Sequence, residues 1–348
     1  MRRPIKHRLY LIASAILCAA LAASVAQSPT PKTDSPFSEP RRLSMEGKHV
    51  EALTALRDLQ TKSPGLKGID HEFGVAYYKK GDYLQAATSF KKAIDADPND
   101  GEATQLLGLS YYLTGRPADA IPFLERVQAW MPSTNVDASY ILGVCYIQSK
   151  DYAHARKAFA TMYNVPPDSA AAYLFTARVL VRQEFDPVAE EYALKAVALD
   201  PKLPLAHFLL GELYLYKSRV PEAITELQKE LALNPGHAAT YYKLGDAYSR
   251  IQNWDEAERL LQRSIWLDST STGPYIVMGK VLLKKGEAEL AVRALRRAET
   301  MDPSNAMPHQ LLGQAYRDLG QPDEAERELR LANQSNSAQE LHNTEPSK

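Results

Sequence analysis

One interval governs this sequence. Gly74, Gly108, Gly143, Gly211, Gly245, Gly279 and Gly313 recur every 34 residues, once 35, and Ala177 fills the single missing step. Pro64, Pro98, Pro132, Pro167, Pro201, Pro235 and Pro303 keep the same interval. A third position is alanine in nine successive units: Ala52, Ala86, Ala120, Ala155, Ala189, Ala223, Ala257, Ala291 and Ala325. A unit this short cannot bury an apolar face alone, so the chain must stack copies of one supersecondary element.

Each unit reads as two helices. In the first segment, small or apolar residues fall at i, i+3, i+4 and i+7, as at Tyr241, Leu244, Gly245 and Tyr248, which is one helical face. A turn follows, often opened by glycine (Gly81, Gly115, Gly286, Gly320), with Asp82, Pro117, Asp151, Pro221 or Pro322 placed just inside the next helix. The second segment sets alanines around a large residue, as in Ala86, Phe90 and Ala93. Small residues at a helix crossing permit close approach, so a bulky side chain at Gly245 or Ala257 is expected to cost about 1–3 kcal/mol. Proline after the second helix stops it and resets the phase.

These residues and offsets resemble the tetratricopeptide repeat family, from about Thr33 to Ala338. Units starting at Thr33, Lys67, Gly101, Val136, Ala170, Pro204, Ala238, Thr272 and Ala306 give nine repeats. The resemblance implies an all-α, right-handed superhelical solenoid occupying residues 41–338, its first repeat degenerate. Three departures stand out: the first unit has a short, proline-containing first helix that overlaps the linker, the fifth has Ala177 and Leu180 for Gly and Tyr, and the seventh ends at Ser269 without proline. The polar run from Asn333 is expected to fray, leaving residues 339–348 as a tail.

Ahead of the array, Arg2, Arg3, Lys6 and Arg8 precede an apolar run from Leu9 to Ala23, closed by Ser24-Val25-Ala26. That is the pattern of a secretory signal peptide over residues 1–26, cleaved after Ala26. Two other readings stay open: an uncleaved membrane anchor, and a lipoprotein attached at Cys18, for which Leu17 is a poor neighbour. Residues 27–40, with Pro29, Pro31, Pro36 and Pro40 among Ser and Thr, read as a flexible linker. Localisation is therefore expected to be periplasmic or secreted, in a bacterial envelope, or membrane-tethered through the N-terminal segment. Losing the leader makes a chain of formal charge −1 more acidic, which argues against nucleic acid as a partner. With only Cys145 left, no intrachain disulfide can form. A 45% hydrophobic, 24% charged composition excludes a disordered or multi-span membrane chain.

No catalytic constellation is visible. His71-Glu72 lacks the second histidine of a zinc-protease motif, and there is no phosphate loop, Gly-x-Gly-x-x-Gly or Gly-x-Ser-x-Gly. His207 and His309 take the place held by Tyr173, Tyr241 and Tyr275 in other units, so they read as helix-packing rings rather than ligands. Cys145, beside Tyr146, reads as a small core hydrophobe. No catalytic residue, metal site or cofactor is expected.

Function must then come from surface. The family resemblance implies that first helices line a concave groove that receives a protein segment. Its exposed positions are expected to be the fifth, ninth, twelfth and thirteenth of each unit. The candidates drawn from them are Tyr78, Tyr112, Tyr140, Arg178, Arg182, Phe208, Tyr216, Tyr242, Arg250, Lys280 and Lys284. The N-terminal half of this set is apolar and aromatic, and from the fifth unit it turns net basic. It suits a partner segment with apolar anchors and acidic residues. No unit has Asn at the ninth position, which argues against the clamp some family members close on chaperone tails. The reading is an exported, non-catalytic scaffold; the alternative is an accessory subunit of an envelope enzyme, or a glycan-binding module using the aromatic groove.

Overall fold

The computed structural model describes residues 35–131, 136–183 and 186–344. The leader, Cys18, most of the linker, Pro132 and residues 345–348 lie outside them. The described residues form eighteen helices and no strand. None of these helices is long and apolar enough to cross a membrane. The chain divides after Ala172 into two compact units.

The helices pair as the spacing predicts. The first unit holds Ser38–Met45 with His49–Lys62, Ile69–Lys80 with Tyr83–Ala96, Gly101–Leu113 with Pro117–Trp130, and Val136–Gln148 with Tyr152–Met162. The fifth pair, Ala170–Arg182 with Asp186–Leu199, opens the second unit, apart from its first three residues. The remaining pairs are Ala206–Tyr216 with Val220–Leu233, Ala238–Arg250 with Trp254–Leu267, Thr272–Lys284 with Ala288–Met301, and Ala306–Asp318 with Pro322–Thr344.

Glycine and alanine act at the crossing. All nine repeat alanines are buried, Ala325 being the most exposed at 2%. Each periodic glycine faces the residue sixteen positions on: Phe90, Leu124, Phe159, Leu227, Leu261, Leu295 or Leu329. A methyl group on any of these glycines would lie 2.2–2.8 Å from the facing side chain, far inside van der Waals contact. The fifth repeat resolves its own departure. Ala177 stands for glycine there, and the position sixteen on is Ala193 rather than leucine, both buried.

The turn between paired helices is set by one left-handed residue at the fifteenth position. Gly47, Gly81, Gly115, Gly286 and Gly320 have φ of 72–84°, but Lys150, Ser218 and Gln252 hold the same place at φ 60–63°. The next residue's amide then reaches back to the carbonyl of the eleventh, as Asp82 to Tyr77 (2.9 Å) and Asn253 to Tyr248 (3.0 Å), closing a Schellman-type cap. Asp82 and Asp151 do not sit inside the second helix, as their placement suggested. They are its N-caps, accepting from the amides of Gln85 (3.3 Å) and His154 (3.1 Å).

Neighbouring repeats are joined through the tyrosine of the eleventh position. The Tyr146 hydroxyl donates to Glu125, Gln228 donates to the Tyr248 hydroxyl (3.1 Å), and Arg296 donates to that of Tyr316 (3.2 Å). The seventh repeat ends well without proline because Asp268 accepts from the Thr270 amide (2.9 Å), as Asp97 and Asp200 do for Asn99 and Lys202 in proline-bearing repeats.

The boundaries drawn at residues 41 and 338 move outward at both ends, the first in keeping with a first helix that overlaps the linker. The array begins inside the expected linker, with a helix from Ser38, because Phe37 packs with Leu53, Leu56, Ile69 and Phe73. The last helix does not fray at Asn333 but continues to Thr344, since no glycine or proline interrupts the chain between Pro322 and Pro346.

A candidate protein-binding face

First helices of successive repeats touch one another in repeats 1 to 4 and in repeats 6 to 9, and pack on the second helix of the preceding repeat there, while among the described residues second helices make no comparable contacts with each other. The first helices thus form the more tightly packed row. Their side chains divide by position.

The twelfth position, expected to be open, is packing. Ile147, Leu215, Ser249 and Leu283 are buried there, and within the second unit the next first helix packs against the helices of Leu215, Ser249 and Leu283. In the ninth repeat, against which no later helix packs among the described residues, Arg317 at that position is exposed. Ninth-position residues Leu109 and Val144 are buried too. The thirteenth position stays accessible in every repeat from the fifth onward: Arg182, Tyr216, Arg250, Lys284 and Asp318 are all exposed.

The aromatic candidates are half-buried and committed to neighbours. In the first unit, Tyr78 meets Tyr83 edge-on (5.3 Å) and Tyr140 lies against Phe159 (6.0 Å), while Tyr112 is half-buried. In the second unit Phe208 meets His237 edge-on (5.1 Å). Tyr242 covers Gly273 of the next repeat so closely that a methyl there would lie 2.8 Å from its ring, and burial raises its pKa above the ordinary tyrosine value. Tyr216 is the exception, 76% exposed.

The basic candidates also separate, all within the second unit. Arg250 is engaged: it pairs with Asp246 (2.8 Å) and donates to the Leu215 carbonyl (2.9 Å) one repeat earlier. Lys243 likewise neutralises Glu212 (3.0 Å). Arg178, Arg182, Lys280 and Lys284 are exposed and have no ion pair among the described residues. Arg178 and Arg182 stand one helical turn apart, as do Lys280 and Lys284, so each pair presents two cations on one helix face.

Elsewhere, the buried histidines of the second unit are hydrogen-bonded. His207 Nδ1 lies 2.5 Å from Glu226 and its Nε2 3.1 Å from the Pro201 carbonyl; His309 Nδ1 lies 2.7 Å from Glu328. These rings do pack between helices, as the sequence indicated, but they are also hydrogen-bonded, which it did not show. A signal was there: glutamate stands at the twenty-third position only in the two repeats with histidine at the fourth. Glu299, His309 and Glu328 offer donor atoms within 4.8 Å of one another, yet Arg296 lies 2.7 Å from both carboxylates and supplies the positive charge an ion would bring. Cys145 is fully buried and its thiol is pushed up to about 12 by burial, the wrong direction for a nucleophile.

The Tetratricopeptide repeat family matches residues 71–134, 208–274 and 276–338 through one family description, and residues 111–179 through a second. The chain belongs to the tetratricopeptide repeat family. It is 29% identical over 181 residues, 49% of its length, to anaphase-promoting complex subunit 3 of Schizosaccharomyces pombe, and 28% identical over 102 residues, 29% of its length, to a BBSome complex member BBS4 homolog of Drosophila melanogaster. The matched segments span only 26% and 21% of those relatives. Among solved structures, MamA is similar over 47% of this chain and 96% of its own (25% identity, TM-score 0.43). YrrB, described as a TPR protein with an unusual peptide-binding site, is similar over 53% and 93% (22% identity, TM-score 0.44). The fold is that of a scaffold suited to protein–protein interaction.

Proposed function

We propose that this chain is an exported, non-catalytic scaffold that holds an acidic segment of a partner protein along the first-helix face of its second unit. The observation that carries this is the set of exposed cations without ion pairs among the described residues, Arg178, Arg182, Lys280 and Lys284, with the exposed Tyr216 between them, in a chain of formal charge −1. Unpaired charge at fixed positions steers and selects an opposite partner, and tyrosine supplies rigid contact area. Membership of multi-subunit assemblies in the relatives, an anaphase-promoting complex subunit and a BBSome member, favours a scaffolding role here. The N-terminal basic and apolar pattern supports the export part of this reading, and with it a role in envelope assembly or secretion.

The test is direct binding. A fluorescent acidic peptide containing leucine is titrated against the full chain and against Arg182→Glu with Tyr216→Ala, both checked for helix content. Saturable binding that the double variant loses while staying folded supports the proposal; equal binding by both proteins refutes the face. N-terminal sequencing and fractionation of the expressed protein test export: an intact, cytoplasmic chain refutes that part.

A further inference from the structure

The cations of this face are not evenly spread. One pair, Arg178 and Arg182, lies on the first helix of repeat 5, and the other, Lys280 and Lys284, on that of repeat 8. Between them, repeats 6 and 7 have their charges cancelled: Glu212 by Lys243 and Arg250 by Asp246. What repeats 6 and 7 leave free at their thirteenth positions is Tyr216, since Arg250 is already tied to Asp246 and to the Leu215 carbonyl. The face is therefore a cationic site, an electrically neutral interval with an exposed aromatic ring, and a second cationic site.

Resting on the function proposed above, we propose that the ligand is bipartite: an extended peptide with two acidic clusters flanking an apolar residue that lies on Tyr216. Adjacent packed helices stand about 9 Å apart, so three repeat steps separate the two sites by about 27 Å. An extended chain advances about 3.3 Å per residue, which sets the clusters about eight residues apart. A single acidic cluster engages either site weakly. Two clusters at the matching distance engage both, because the second contact becomes intramolecular. A uniformly acidic ligand wastes charge over the neutral interval, where Glu212 and Asp246 sit.

The experiment uses the full chain and synthetic peptides of identical composition, each with two Glu-Glu pairs and a central leucine in a Ser/Gly background, the pairs separated by four, eight or twelve residues. A fourth peptide scatters the same four glutamates evenly. Affinity is read by fluorescence anisotropy at two salt concentrations. The eight-residue spacing is expected to bind about ten- to a hundredfold tighter than the four-residue and scattered peptides. Arg182→Glu or Lys284→Glu alone should abolish that preference and reduce all peptides to the weak level, while Arg263→Glu on a second helix should leave it intact. If all four peptides bind with equal affinity, the bipartite arrangement is refuted while acidic recognition by this face stands. If none binds, both fail. If binding is spacing-dependent but unchanged by either charge reversal, the two sites lie elsewhere and this assignment is overturned.

Discussion

Substituting alanine for Gly211 should change sign with its surroundings. In the native chain, the new methyl would meet Leu227 Cγ at 2.5 Å and Cδ2 at 2.6 Å, and Leu227 is fully buried with no open side to swing into. Overpacking of this kind costs about 1–3 kcal/mol, against a helix-propensity gain of about 1 kcal/mol from removing a mid-helix glycine. The net expectation is a loss of about 0–2 kcal/mol. Leu227→Ala alone opens a cavity and should cost about 2–5 kcal/mol. In that background the Gly211→Ala methyl enters vacated space and keeps its propensity gain, so it should be neutral or stabilising. The double variant reproduces the Ala177 and Ala193 combination that repeat 5 already uses. The measurement is a double-mutant cycle in urea, followed by circular dichroism, with amide exchange in Ala206–Tyr216 and Val220–Leu233 because long repeat arrays need not unfold in one step. A coupling energy of about 1–3 kcal/mol favouring the pair is expected. Simple additivity of the two single costs would refute the interlock between the eighth and twenty-fourth positions.

Gln252→Gly should stabilise the chain by about 0.5–1 kcal/mol, since it relieves a left-handed side-chain residue at φ 63°, and a raised urea midpoint is the readout. Gly81→Ala should do the reverse at φ 84°, although nothing within 4 Å would clash, so its cost is conformational alone. Burial opposes the charged form of His71, but Glu102 and Asp100 (2.6 Å) outweigh it and raise its pKa from 6.5 to about 9. A folded-state pKa above the unfolded one means that the contribution is complete below about pH 6.5 and disappears as pH rises through 9; thermal melts across that window should show the decline, and His71→Gln should flatten it. Glu328→Leu should destabilise strongly, by about 3–5 kcal/mol, because it strands buried His309 and half of Arg296's pairing; adding His309→Tyr, which copies Tyr241 over Leu260, should recover part of the loss in chemical denaturation.

The pairing of helices was legible because it depends on residues that no other residue can replace cheaply. Gly245 under Leu261 and Ala257 at zero exposure are steric demands, and steric demands repeat with the fold. The same holds for the turn, although Gln252 and Lys150 show that one strained residue is tolerated where its neighbours close the cap. The face was legible only in part. Exposure at the twelfth position depends on the following repeat, so Leu215 and Leu283 could not be distinguished from open positions by counting along their own helix. Whether a cation is free depends on a partner one turn or one repeat away: Arg250 and Arg182 hold the same position in the unit, and only Arg250 meets an aspartate. The ends were misread because composition describes an average environment. Phe37 sits in a proline- and serine-rich stretch yet finds a core, and the polar residues after Asn333 meet no helix breaker.

The thirteenth position takes no part in the glycine–leucine interlock between paired helices, and its contents vary with that freedom: Met45, Lys79, Leu113, Gln148, Arg182, Tyr216, Arg250, Lys284 and Asp318 run from apolar to cationic to acidic, while the twentieth is alanine throughout. The chain thus keeps its architecture and the most variable part of its exposed face in different letters of the same 34-residue word. Rewriting one row of exposed side chains should redirect what the protein holds without asking the helices to pack anew, so relatives of this chain are free to drift in specificity while their cores stand still.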